Sequence, residues 1–229
     1  MNKQHLSISS LAVASILLLA SPVTQAFEQG DLLVRGRIIN VSPDESSSVV
    51  SHGAPLAPIP ASKVGVTDDT VVELDFTYML HKNWGVELIL GTSEHDVPAG
   101  GALAFAGDII NASVLPPTLT LQYHFRPDAK FRPYVGLGIN YTKFYDERVT
   151  GGIDATGAEV DMDSSWGLAA QIGADYMIND DWFINFDAKY IKMETTAHFS
   201  GAAVVAGGFA EVDVDVDPWV FGIGIGKRF

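Results

Sequence analysis

Alternation is the feature that most narrows what this chain can fold into. Apolar residues recur at every second position in segments of about ten residues, with little sign of helical spacing. Eight such segments lie near 31–41, 70–80, 84–92, 115–125, 131–143, 165–176, 182–192 and 212–229. The stretches between them are alternately long (42–69, 93–114, 144–164, 193–211) and short (81–83, 126–130, 177–181). Long loops on one side and tight turns on the other are the plan of an outer-membrane barrel. An even strand number also returns both chain ends to the periplasmic side. The expected fold class is all-β, an eight-stranded antiparallel transmembrane β-barrel of the outer-membrane type.

The sixth segment tests this reading. Trp166, Leu168, Ala170, Ile172, Ala174 and Tyr176 share one face, and Gly167, Ala169, Gln171, Gly173 and Asp175 share the other. The first set suits lipid. Trp166 and Tyr176 would stand roughly 25 Å apart along a tilted strand, the height of the apolar band of such barrels. The last segment repeats the design, with Trp219, Phe221, Ile223, Ile225, Lys227 and Phe229 outward and Gly222, Gly224 and Gly226 inward. Aromatics at both ends of an aliphatic face mark the two membrane interfaces, a feature a soluble sandwich does not need.

Composition removes other classes. The chain contains no Cys, so it has no disulfide framework and no thiol nucleophile. A formal charge of -14 opposes nucleic-acid binding, which wants basic surface. Apart from residues 11–20, no apolar run approaches the length of a spanning helix. That run follows Lys3 and His5 and precedes a small-residue site ending at Ala26, so residues 1–26 read as a cleaved signal peptide. Residues 27–229 then form one exported domain in the cell outer membrane.

Several stretches resemble the OmpW family of small outer-membrane proteins, which includes AlkL-like alkane-uptake channels. They are Leu115-Pro116-Pro117-Thr118, the run from Lys130-Phe131-Arg132-Pro133-Tyr134 through Gly136 to Gly138-Ile139-Asn140-Tyr141, Ser165-Trp166-Gly167 with Asp181-Trp182, and Asp217-Pro218-Trp219-Val220-Phe221 with the terminal Arg228-Phe229. The resemblance implies a monomeric barrel with a narrow apolar lumen that helps small hydrophobic molecules cross the outer membrane. It also implies that Phe229 is the aromatic end of a signal read by the barrel-assembly machinery. Lys227 departs from that pattern, and its long stem lets it snorkel to the headgroups.

Parity assigns the lumen, because a charge facing lipid at midplane costs about 2 to 4 kcal/mol and turns inward. Odd strands rise from the periplasm and even strands descend to it, which adds depth. Arg35, Glu87, His124, Asp175 and Arg228 fall towards the periplasmic end and are read as a polar floor. Ile39, Val41, Val71, Ile89, Ile191 and Val220 fall towards the middle or the outer end and are read as an apolar lumen. Further inner charges, Arg37, Glu73, Asp75, Asp187 and Lys189, nearly balance. Pro116 and Pro117 lack ladder donors, so a lateral opening is expected beside them.

Two apolar runs, 98–106 and 201–210, belong to outer loops and either form a lip over the vestibule or pack on each other. Acidic residues crowd the same side, including Asp154, Glu159, Asp161, Asp163, Glu211, Asp213 and Asp215. They read as a solvated rim. Carboxylates also suit Ca²⁺ or Mg²⁺ bridged to lipopolysaccharide phosphates, but no EF-hand spacing is present and no metal site is assigned. His198-Phe199-Ser200, with Glu211, is the one candidate for nucleophilic chemistry. It lies in a Gly- and Ala-rich loop, so no catalytic residue, cofactor or enzymatic activity is expected. The expected function is passive uptake of small hydrophobic solutes with lateral release into the membrane, and the alternative is a structural, receptor or adhesive surface protein. The expected partners are outer-membrane lipids, lipopolysaccharide, hydrophobic solutes and the barrel-assembly machinery.

Overall fold

A computed structural model describes residues 25–52, 57–151, 157–201 and 209–229. The signal segment up to residue 24, Asp154 and most of the 201–210 run lie outside the described residues.

Eight antiparallel strands close a barrel. In chain order they are Leu32–Ser42, Asp69–His81, Trp84–Gly91, Thr118–His124, Phe131–Val149, Ser165–Met177, Trp182–Ile191 and Trp219–Arg228. Each pairs with its neighbour in sequence, and closure joins the first to the eighth, from Leu33 opposite Arg228 to Ser42 opposite Trp219. No free edge remains in the spanning region, which is what a backbone in hydrocarbon requires.

The side chains alternate as the pleat dictates. Val72, Leu74, Phe76, Tyr78 and Leu80 of the second strand are exposed, whereas Glu73, Asp75, Thr77 and Met79 are buried. Such large exposed apolar residues run round the whole barrel, as a lipid-facing surface demands. Tryptophans mark its two edges. Trp166 packs on Tyr141 and Trp219 on Tyr190 at the outer end, and Trp84 packs on Tyr123 at the periplasmic end. Lys227 Nζ lies 5.4 Å from the Trp182 ring and 4.6 Å from the Phe229 ring, a cation held against the periplasmic aromatic belt.

Inward glycines make room for larger neighbours. A Cβ at Gly173 would collide with the Tyr134 ring, and one at Gly226 with the Phe183 ring.

The structure departs from the sequence reading on the outer side. The stretch read as a loop from 93 is a hairpin, Ser93–Gly101 and Asp108–Leu115, and the stretch from 193 carries the strands Glu194–Ser200 and Phe209–Asp215. Val97, Ala99, Ile110, Ala112 and Val114 of the first, and Ala197, Phe199, Val212 and Val214 of the second, are buried. Glycine and alanine, depleted in strands, masked this alternation. The run near 212–229 is two strands, because Asp217 adopts φ 38° and Pro218 cannot donate to a ladder. The outer strands lift the wall beyond the membrane and enclose a chamber above the barrel.

Candidate functional site

Three layers fill the lumen. At the periplasmic end Phe27, Leu33, Met79, Met177 and Phe183 form a small apolar cluster. Phe27 fills the base, edge-on to His124 at 5.6 Å and beneath the Arg132 guanidinium at 4.1 Å.

Above it lies a layer of ion pairs. The register places Arg35 opposite Asp75 and Arg37 opposite Glu73 on the paired first and second strands. Arg35 donates through Nε and Nη2 to both oxygens of Asp175, at 3.2 and 2.9 Å, and through Nη1 to Asp75 and to Thr77 at 2.6 Å. Arg37 reaches Glu73 at 2.9 Å, Asp75 at 3.2 Å, Glu87 at 3.3 Å and Asp187 at 3.4 Å. Lys189 Nζ donates to Glu73 at 2.8 Å and Asp187 at 2.7 Å. Tyr134 donates to Asp187, and Gln171 and Thr120 both donate to Glu87. Five carboxylates thus share three cations, all buried. Buried pairs of this kind hold a specific arrangement, and breaking one leaves an uncompensated charge.

The third layer is the chamber. Ile39, Val41, Val71, Ile89, Ile191 and Val220 line its lower part, and Val64, Val97, Phe144, Met162 and Val214 its upper walls. They enclose a cavity of about 70 Å³. A largely aliphatic lining suits such a space to apolar guests. Glu73 and Lys189 are the charged side chains that reach it, at its bottom. One polar pair sits in its wall, His95 Nε2 at 2.9 Å from Ser93 Oγ, with His95 Nδ1 at 2.6 Å from the Thr67 carbonyl.

The six residues read as an apolar lumen therefore stand together. The five read as a floor divide. Arg35, Glu87 and Asp175 are in the ion-paired layer, whereas His124 lies below it and bonds Gln122. Arg228 lies at the periplasmic end as expected but outside the ion-paired layer, its side chain mostly buried and bonded to the Ala26 carbonyl and Gln25 Oε1. It ends the eighth strand, opposite Leu33, one layer below the ion pairs. Arg37 and Lys189 complete the layer instead; Arg37 stands in register with Glu73, and Lys189 lies two residues from Asp187 on the same face of the seventh strand. Arg132 and Tyr134 went unassigned, although their parity with Gly136 was legible.

Pro116 and Pro117 interrupt the fourth strand. Pairing between the third and fourth walls runs from Tyr123 opposite Trp84 to Thr118 opposite Ile89, and resumes in the same register with Val114 opposite Ser93. Residues 90–92 and 115–117 between these stretches do not pair with each other, although Leu90, Gly91 and Leu115 keep partners on their other sides. His124 donates its N–H towards the third strand, so by alternation the missing N–H of Pro116 is the one that would have met Gly91. Its carbonyl is drawn away as well, accepting from Asn140 Nδ2 at 3.2 Å and Thr118 Oγ1 at 3.0 Å. Pro117 faces the other way, and its carbonyl accepts from the Tyr141 N–H. Gly91, Thr92 and Pro116 also line the chamber, so the gap in the ladder borders the cavity.

His198 lies on a strand, not a loop. Its two ring nitrogens face Asp163 at 3.3 Å and Glu211 at 3.8 Å on the exposed face, away from the chamber. Among the described residues no group of three His, Asp or Glu side chains is arranged to hold a metal ion.

The model of the OmpW family matches residues 28–229. The chain is 38% identical over 227 residues to outer membrane protein W of Vibrio cholerae serotype O1, covering 97% of this chain and 99% of that one. The crystal structure of the outer membrane protein OprG from Pseudomonas aeruginosa superposes with a TM-score of 0.85 at 38% identity, covering 90% of this chain and 99% of that one. The solid-state NMR structure of outer membrane protein AlkL matches with a TM-score of 0.64 at 21% identity, over 93% of this chain and 97% of that one, a likeness of fold.

Proposed function

Because this chain belongs to the OmpW family and is an outer-membrane protein, we propose that it conducts small hydrophobic molecules passively from outside into the membrane. The observation that carries the reading is the aliphatic chamber, with buried ion pairs beneath it and the gap at Pro116 beside it. An apolar solute gains about 25 cal/mol for each Å² it removes from water, so it collects in the chamber. Passage straight down would break the bonds of Arg35, Arg37 and Lys189 with nothing to replace them, at several kcal/mol. Escape sideways, between residues 90–92 and 115–117, meets a wall already short of a hydrogen-bonded rung.

No bond is made or broken in this scheme, and partition alone drives it. The protein works as a conduit and not as an enzyme, with outer-membrane lipid as the acceptor. Lipopolysaccharide surrounds the outer girdle, and Phe229 addresses the chain to the assembly machinery.

Cysteines at Thr92 and Leu115 would lock the gap, since the register continued through it sets these positions opposite each other and the chain has no native Cys. The oxidised lock should stop uptake of a hydrophobic substrate into cells, with recovery on reduction. Undiminished uptake through the locked wall would refute lateral release, and a surface receptor would keep its binding whatever the lock.

A further inference from the structure

The chamber bottom makes a chemical distinction that an all-apolar funnel would not. Glu73 and Lys189 meet there, the Lys189 ammonium 2.8 Å from Glu73 Oε1, both side chains almost wholly buried yet lining the cavity. An ammonium has three donors, and two of those on Lys189 are spent on Glu73 and Asp187. A carboxylate has two acceptor oxygens, and the bonds Glu73 receives from Arg37 and Lys189 both fall on Oε1. One donor and one acceptor therefore remain side by side under an aliphatic sleeve.

A hydroxyl head satisfies both at once, donating to Glu73 Oε2 and accepting from Lys189 Nζ. A carboxylate head can only accept. It would also add negative charge to a layer in which carboxylates already outnumber cations five to three and every cation is shared. With these groups buried beneath an aliphatic sleeve, that repulsion is weakly screened.

We infer that the chamber is selective for hydroxyl-headed aliphatic solutes, such as medium-chain primary alcohols, and rejects the corresponding carboxylates through Glu73. This rests on the chamber being the solute site, as proposed above.

The test is displacement of the apolar fluorophore N-phenyl-1-naphthylamine from the processed protein in lipid nanodiscs, with empty nanodiscs subtracted. Octane, octan-1-ol and octanoate compete at neutral pH, where octanoate is ionised. Octan-1-ol should displace the probe at a concentration about tenfold below octanoate. Octanoate is the more soluble in water, so the decisive measurement is the change in that ratio on substitution. Glu73→Gln should shrink it to about threefold or less, and Lys189→Met, which deepens the charge excess, should widen it by a similar factor. Both variants must show the faster gel migration of an unboiled, folded barrel. A ratio unmoved by both, or moved in the opposite sense by whichever variant folds, would overturn the selectivity. Failure of all three solutes, octane included, to displace the probe would instead overturn the chamber as a solute site, and the selectivity with it.

Discussion

Replacing Pro116 by Ala should slow solute release by closing the gap it maintains. The new N–H at position 116 would point at Gly91 across the third and fourth walls, where the flanking register, Thr118 opposite Ile89 and Val114 opposite Ser93, already aligns the partners. The variant therefore gains one ladder hydrogen bond, worth about 1 kcal/mol net. A stabilisation of that size shifts the ratio of closed to open wall by roughly fivefold. If opening of this seam limits release, the initial rate of uptake of a radiolabelled apolar solute should fall by about the same factor. The rate is measured on cells matched for folded protein by gel mobility. Pro117→Ala is the internal control, because its restored N–H points to Tyr141 on the fifth strand and leaves the seam with the third strand untouched. Native uptake by Pro116→Ala, or equal slowing by Pro117→Ala, would refute the assignment of the gate to this seam.

Arg35→Met should destabilise the barrel by about 3 to 5 kcal/mol, since it strips Asp175 and Asp75 of a shared buried cation. Urea unfolding followed by gel mobility measures this, and a change below about 1 kcal/mol would contradict it. Gly173→Ala should cost about 1 to 3 kcal/mol in the same assay, because its Cβ displaces the Tyr134 ring that bonds Asp187. A cysteine replacing Phe105, exposed on the outer hairpin turn, should react with a membrane-impermeant maleimide on intact cells, and one replacing Asn179 only after the outer membrane is opened; the reverse pattern would invert the topology. Asp217 joins the outer hairpin to the eighth strand. Partial burial pushes its carboxyl up, but hydrogen bonds from Lys192, the Met193 N–H and Tyr190 outweigh this and hold it below the usual carboxylate range. Its contribution to order at this junction is full above the unfolded carboxylate pKa and is lost as pH falls through the lower folded value. Hydrogen exchange of the Met193 N–H should accelerate in strong acid, and Asp217→Asn should remove that pH dependence.

Much of this molecule is written in local alternation. The inward or outward sense of each spanning strand follows from a period of two, which ten neighbouring residues are enough to display, so Arg35, Glu73, Glu87 and Ile89 could be turned inward from the sequence alone. The aromatic ends of the sixth and eighth strands fixed the membrane edges in the same way, and a pair of prolines announces a missing donor wherever it falls. Other features depend on pairings between residues far apart in the chain. Arg35 meets Asp175 at a separation of 140 residues, and Lys189 meets Glu73 at 116. Strand parity does not reveal which cation serves which carboxylate, nor that Arg228 stays out of the ion-paired layer. The outer hairpins were illegible for another reason: their inward positions include alanines, too small to stand out against glycine-rich surroundings until two sheets closed over them. The gap at Pro116 borders the chamber only because closure of the barrel brings it there. Composition and alternation determined a barrel with one face in lipid, whereas register and closure decided which charges seal it and where its wall is weak.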